Sequence, residues 1–220
     1  MDLIEVNNVF AAVFEKKRLD SLLDIFGSNS PFLSSKPGFN IRFWGTRGTV
    51  DYIKSKGFSV QSVVSGFDYG GRVKSLHRAN FVRILADRSN PKHLEALRRE
   101  FSNNRYSVNE KSEDNRIDSG QARMTESAPF DLVVVDLYAP DPSIFPESMD
   151  IGGQSLVRAA IKNYQNVALA FDEESIEKLV LELKKNALMT SLAFRKQQAK
   201  AAAKFIAQRT KLEAEMFDKV

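Results

Sequence analysis

The sequence predicts an α/β fold, a mostly parallel sheet covered by helices on both faces. Segments of strand and helix character alternate along most of the 220 residues, which is the pattern of repeated β-α units. Asp131–Leu137, reading Asp-Leu-Val-Val-Val-Asp-Leu, is a near-continuous apolar run, as a strand buried on both faces requires. A composition of 43% hydrophobic and 27% charged residues is ordinary for a globular chain, and the length suffices for one well-buried core.

The elements follow in order. Val13–Phe26 reads as a helix with Leu19, Leu22, Leu23 and Phe26 on one face. Gly27–Pro31 and Ser34–Gly38 form a long loop, and Asn40–Trp44 is a short strand. It runs into Gly45-Thr46-Arg47-Gly48-Thr49 and a helix through Lys56, which Gly57 ends. Phe58–Val64 is the next strand, Phe67–Arg78 a basic loop, Phe81–Ala86 a short apolar segment and Pro91–Glu100 a helix. Ser102–Ser127 is polar, of mixed charge and without apolar periodicity, and reads as an insertion (102–127) outside the core. Leu156–Lys162 begins inside a helix, Val167–Phe171 is a strand, and Ser175–Lys185 is a helix with Ile176, Leu179, Val180 and Leu183 as its stripe. Leu192–Phe217 is a long Ala- and Lys-rich amphipathic helix within a C-terminal segment, 188–218. The whole reads as one domain, 1–220, without internal repeats.

Composition also excludes functions. There is no cysteine, so disulfides and thiolate metal sites are ruled out. His77 and His93 are the sole histidines, which leaves no multi-histidine metal site. The N-terminus does not read as a secretory signal, and no apolar run approaches the roughly 18 residues of a membrane span. A cytoplasmic protein without a membrane partner is expected. The net charge of +4 lacks the aromatic–basic, zinc or RNP-like pattern of a nucleic-acid binder. A small anionic substrate suits it with fewer assumptions.

Active sites of such sheets lie at the carboxyl ends of the strands, and the candidate segments fall there. Gly45–Thr49, between strand and helix, offers backbone N–H groups and hydroxyls for a phosphate. An ordinary capped turn explains it equally well. Arg72 and Lys74, two apart in an extended loop, point the same way and suit a phosphate or oxyanion. A solvated basic loop is the plainer alternative. Asp136 and Tyr138 end the buried strand, where the Tyr138 hydroxyl is positioned to donate to substrate or the ring to pack on Pro140. Asp150, in Met149-Asp150-Ile151-Gly152-Gly153, precedes a helix and reads as an N-cap. Lys162 lies about three turns on. Its neighbours Ala159, Ala160 and Ile161 suggest a half-buried face, and a partly desolvated lysine can serve as base or acid.

Taken in order, these segments resemble one family. They are Gly-Thr-Arg-Gly-Thr, Gly-Gly-Arg-Val-Lys-Ser-Leu-His, Ala-Asp-Arg, Asn-Pro-Lys-His-Leu-Glu-Ala-Leu, Asp-Leu-Val-Val-Val-Asp-Leu-Tyr, Asp-Ile-Gly-Gly and Leu-Val-Arg-Ala-Ala-Ile-Lys-Asn. The chain is similar to the IMP cyclohydrolase domain of the bifunctional purine-biosynthesis enzyme, from about Val13 to Phe217 with 102–127 as an interruption. The resemblance implies a methylglyoxal-synthase-like three-layer α/β/α sandwich. It implies closure of the purine ring of 5-formamidoimidazole-4-carboxamide ribotide (FAICAR) to IMP and water, with no metal or organic cofactor.

The resemblance also implies roles. Lys74 and Tyr138 would stabilise or protonate the formyl oxygen. Asp150 and Lys162 would handle the carboxamide proton and the water. Lys16, Thr46, Arg47, Gly48, Thr49, Arg72, Val73, Ser75 and Asp136 would hold phosphate, ribose and base. Ile151 and Gly152 would line the base through backbone groups.

There are departures. The family's Ser-Asp-Lys-Thr-Gly loop stands here as Phe14-Glu15-Lys16-Lys17-Arg18, its Ser-Gly-Gly-Thr turn as Thr46-Arg47-Gly48-Thr49, and its Asn before Leu-Tyr as Asp136. Arg78 follows Leu-His in place of Pro. With the chain ending at Val220, no formyltransferase domain is expected, and a separate enzyme would supply FAICAR. The long C-terminal helix allows a homodimer. The alternative function is a non-catalytic purine-nucleotide-binding regulatory module.

Overall fold

A computed structural model describes residues 2–28, 30–34, 36, 38–63, 75–102 and 127–219. Among them, five strands form one sheet, β2 (Asn8–Val13), β3 (Arg42–Gly45), β4 (Val60–Ser62), β5 (Leu132–Asp136) and β6 (Ala168–Ala170). Their order is β4-β3-β2-β5-β6, and every adjacent pair is parallel. A separate antiparallel pair joins β1 (Leu3–Glu5) to β7 (Met189–Ser191). The helices are α1 (Asp20–Phe26), α2 (Pro31–Ser34), α3 (Arg47–Ser55), α4 (Arg78–Leu85), α5 (Pro91–Ser102), α6 (Ile151–Lys162), α7 (Glu173–Lys185) and α8 (Leu192–Phe217).

The strand period of two divides the core. Val9, Ala11 and Val13 of β2, with Leu132 and Val134 of β5, pack against Leu22 and Phe26 of α1, Ile53 of α3 and Leu179 of α7. Phe10 of β2, with Val133 and Val135 of β5, packs on the other face against Ile84 of α4, Leu156 and Val157 of α6, and Ala202 and Ile206 of α8. The fold is thus the expected methylglyoxal-synthase-like three-layer α/β/α sandwich.

The N-terminal third differs from the expectation. Val13 is not in a helix. It ends β2, the central strand, opposite Asp136 of β5. A 3₁₀ turn, Lys16–Leu19, leads into α1 only at Asp20. Val9–Val13 is a five-residue apolar run whose periodicity cannot separate a buried strand from a buried helix. Pairing on both edges decides it. Likewise Phe81–Leu85 belongs to α4, with Ala86 as its C-cap, and β1 pairs with a strand 184 or more residues away.

Burial at the amino edge is held by polar hubs. Asp131, 3% exposed, accepts from the backbone N–H of Asn7 (2.9 Å) and Asn8 (2.6 Å), from Asn8 Nδ2 (3.1 Å) and from Arg88. Arg195, 1% exposed, donates to the carbonyls of Tyr164, Gln165 and Thr190, and so ties the start of α8 to the turn after α6. Among the described residues, no helix is long and apolar enough to cross a membrane.

Candidate functional site

Because the sheet is parallel, β2, β3 and β5 end together at its carboxyl edge, and the segments after them meet there. After β5, Leu137 is buried and Tyr138 half-buried. The chain then passes through residues 139–149 and returns as α6, with Asp150 as its N-cap. The Asp150 carboxylate accepts from the Gly153 N–H at 2.7 Å, meeting one of the donors a helix start leaves unpaired. Burial lifts the Tyr138 phenol above its ordinary 10.0, and the charge of Asp150 adds to the shift. Two of the expected catalytic groups, Tyr138 and Asp150, are thus within electrostatic range of one another.

The Gly-Gly pair makes this packing possible. A Cβ at Gly153 would stand 2.3 Å from Asp150 Oδ2 and 2.4 Å from Leu137 Cδ2. A Cβ at Gly152 would stand 2.0 Å from Ser75 Oγ. Ser75 is buried and its carbonyl accepts from Asn80 Nδ2 at 3.2 Å. Ser75, Gly152 and Asp150 therefore converge on the first turn of α6. Ile151 is exposed beside them. Arg72, Val73 and Lys74 lie outside the described residues.

After β2, residues 14–18 arch over the same edge. Lys16 Nζ donates to the Val13 carbonyl and, at 2.9 Å, to that of Phe14. A Cβ on Gly48 would lie 3.5 Å from Lys16 Cε, so Lys16 bridges this loop and the turn after β3. In that turn Thr46 is half-buried at the N-cap of α3, while Arg47 and Gly48 are exposed at the helix start. Lys17 is also exposed. The cradle region is thus basic, with Arg47 and Lys17 reaching solvent.

Three more of the expected residues have placements that the sequence did not foresee. Thr49 is fully buried, and its hydroxyl accepts from the Val13 N–H at 3.1 Å. It fastens α3 to the end of β2. Asp136 is 4% exposed, with one oxygen on Arg18 (2.5 Å) and the other accepting from the Glu15 N–H (3.0 Å). It anchors the 14–18 loop. The two departures from the family pattern, Arg18 and Asp136, are therefore partners of one another. Lys162 is exposed, not half-buried, and is the last residue of α6. At 1.5 Å per residue, the helix puts it about 18 Å along the axis from Asp150.

The ring contact between Phe14 and Tyr138, with centroids 5.3 Å apart at 44°, had no signal in the sequence. The two residues are 124 positions apart. Only recognising Val9–Val13 as a strand would have brought residue 14 to the carboxyl edge. His77 and His93 have local duties. His77 Nδ1 accepts from the Ala79 N–H and caps α4, and His93 Nδ1 accepts from the Asp87 N–H.

No protein-family model matches the chain. Curated relatives do. The bifunctional purine biosynthesis protein PurH of Paracoccus denitrificans is 32% identical over 166 residues, 74% of this chain and 28% of its own. PurH of Mesorhizobium japonicum is 28% identical over 213 residues, 91% of this chain and 33% of its own. This chain thus spans about a third of the length of the relatives it matches. Among solved structures, the crystal structure of ForH aligns with a TM-score of 0.65 at 22% identity, over 96% of this chain and 99% of that one. That likeness bears on the fold.

Proposed function

We propose that this chain, a relative of the PurH proteins along most of its length, closes the purine ring of FAICAR to give IMP and water in purine biosynthesis. The observation that carries the reading is that Tyr138, after β5, and Asp150, at the start of α6, share the carboxyl edge of the parallel sheet, near enough for the Asp150 charge to act on the Tyr138 phenol. In the reaction a weakly nucleophilic carboxamide nitrogen attacks the formyl carbon. A C–N bond forms, the formyl oxygen takes up a proton, and it leaves as water after a second proton arrives. Tyr138, held protonated by burial, is the donor to that oxygen. Asp150 accepts the carboxamide proton. Lys74 supplies positive charge to the tetrahedral oxyanion. Arg47, Lys17 and Arg72 hold the phosphate by charge where Thr49 and Asp136 are engaged internally.

The test is an absorbance assay of pure protein with FAICAR and no added metal. Formation of IMP well above background is expected, and no turnover overturns the reading. One observation favours a second reading, a nucleotide-binding regulatory module. The cradle groups Thr49 and Asp136 are locked inside the protein, as in a site relieved of turnover. Tight IMP binding with no FAICAR conversion would select it.

A further inference from the structure

Phe14 is the large apolar side chain that the fold leaves most open at the candidate site. It is 66% exposed, yet the backbone that carries it is tied from three sides. Arg18 is paired with the buried Asp136, whose second oxygen accepts from the Glu15 N–H at 3.0 Å. Lys16 Nζ holds the Phe14 carbonyl at 2.9 Å. One part of the ring meets Tyr138, and the rest is open to solvent; the exposed cations Lys17, three residues on, and Arg47, in the turn that Lys16 touches, belong to the same edge. An exposed phenyl on a braced loop, next to a phenol and positive charge, is a platform for a planar ring that carries an anion.

We propose that Phe14 is a specificity-determining residue of this site, stacking on the heterocycle of a ribotide while the Arg18–Asp136 pair holds it over Tyr138. The proposal rests on the purine-ribotide reading above and names the group that selects the base. Phe14 also shields the Tyr138 hydroxyl from water.

The experiment compares wild type, Phe14→Ser and Phe14→Trp by calorimetry with two probes, IMP and ribose 5-phosphate. These share the anionic tail and differ in the heterocycle. Phe14→Ser is expected to weaken IMP about tenfold, the lower range for loss of a base–aromatic stack, and to leave ribose 5-phosphate unchanged. Phe14→Trp is expected to retain IMP binding. Because the side chain is mostly exposed, Phe14→Ser should fold, which circular dichroism checks. Equal losses for both probes, or IMP binding by Phe14→Ser equal to wild type, would overturn the proposal, and so would absence of IMP binding by wild type. A second readout is the alkaline ultraviolet titration of Tyr138, isolated as the difference between wild type and Tyr138→Phe. It should move to lower pH in Phe14→Ser, and an unmoved titration counts against the shield. If wild type binds IMP through Phe14 but does not convert FAICAR, the cyclohydrolase reading fails and this one stands. If FAICAR is converted and Phe14→Ser binds IMP normally, the reverse holds.

Discussion

Tyr138 carries the sharpest residue-level consequence. Its pKa is raised, first by burial and then by the charge of Asp150. The protonated phenol is the favoured form in the folded protein, so proton donation is fully available below the ordinary 10.0 and is lost only as pH rises through the higher folded value. An alkaline limb of kcat assigned to Tyr138 should therefore fall above pH 10.0 and vanish in Tyr138→Phe, whose turnover should drop about a hundredfold at neutral pH. A pH–rate profile of both proteins checks this. Gly152 makes a different demand. A methyl group there would meet Ser75 Oγ at 2.0 Å, so Gly152→Ala must displace Ser75 or the first turn of α6. A cost of about 1–3 kcal/mol is expected, read from the urea midpoint, together with lost turnover because Asp150 caps that same turn.

At the scale of the element, α6 decides what can work together. Its N-terminus presents Asp150, Gly152 and Gly153 to the carboxyl edge, and its twelve residues carry Lys162 away from it. Lys162→Ala is accordingly expected to leave FAICAR turnover unchanged, because about 18 Å of helix lies between it and Asp150. A large loss would place that lysine in the site of a second copy. The loop after β2 shows the opposite effect, an element set by a distant partner. Asp136 closes on Arg18 and on the Glu15 N–H, and residues 14–18 become a fixed wall over the edge.

For the molecule as a whole, the carboxyl edge holds the candidate chemistry and the amino edge holds the fold together. Asp131 is the clearest amino-edge example, with two backbone N–H groups, Asn8 Nδ2 and Arg88 on one buried carboxylate. Removing it leaves those donors without their acceptor and takes from Arg88, which keeps the carbonyls of Phe130 and Asn166, its ion-pair partner. Asp131→Ala should destabilise by about 3 kcal/mol, measured by chemical denaturation. Because Asp131 lies at the far end of β5, FAICAR turnover of the remaining folded protein should change little.

Much of this was legible in the sequence because its signals are local. The alternating elements, the buried run of β5, the Asp150 cap with its glycines and the full extent of α8 follow from short-range rules of burial period and capping. Those rules determined the α/β class and placed Tyr138 and Asp150 at one edge. The tertiary structure alone decided the rest. It made Val9–Val13 the central strand, because only pairing on both edges separates a short buried strand from a helix. It put Thr49 and Asp136 inside, sent Lys162 to the far end of its helix, and set Phe14 on Tyr138. Each of these turns on contacts between residues far apart in the chain or on the length of a rigid element, and a residue's type says nothing about which distant neighbour will claim its hydrogen bonds.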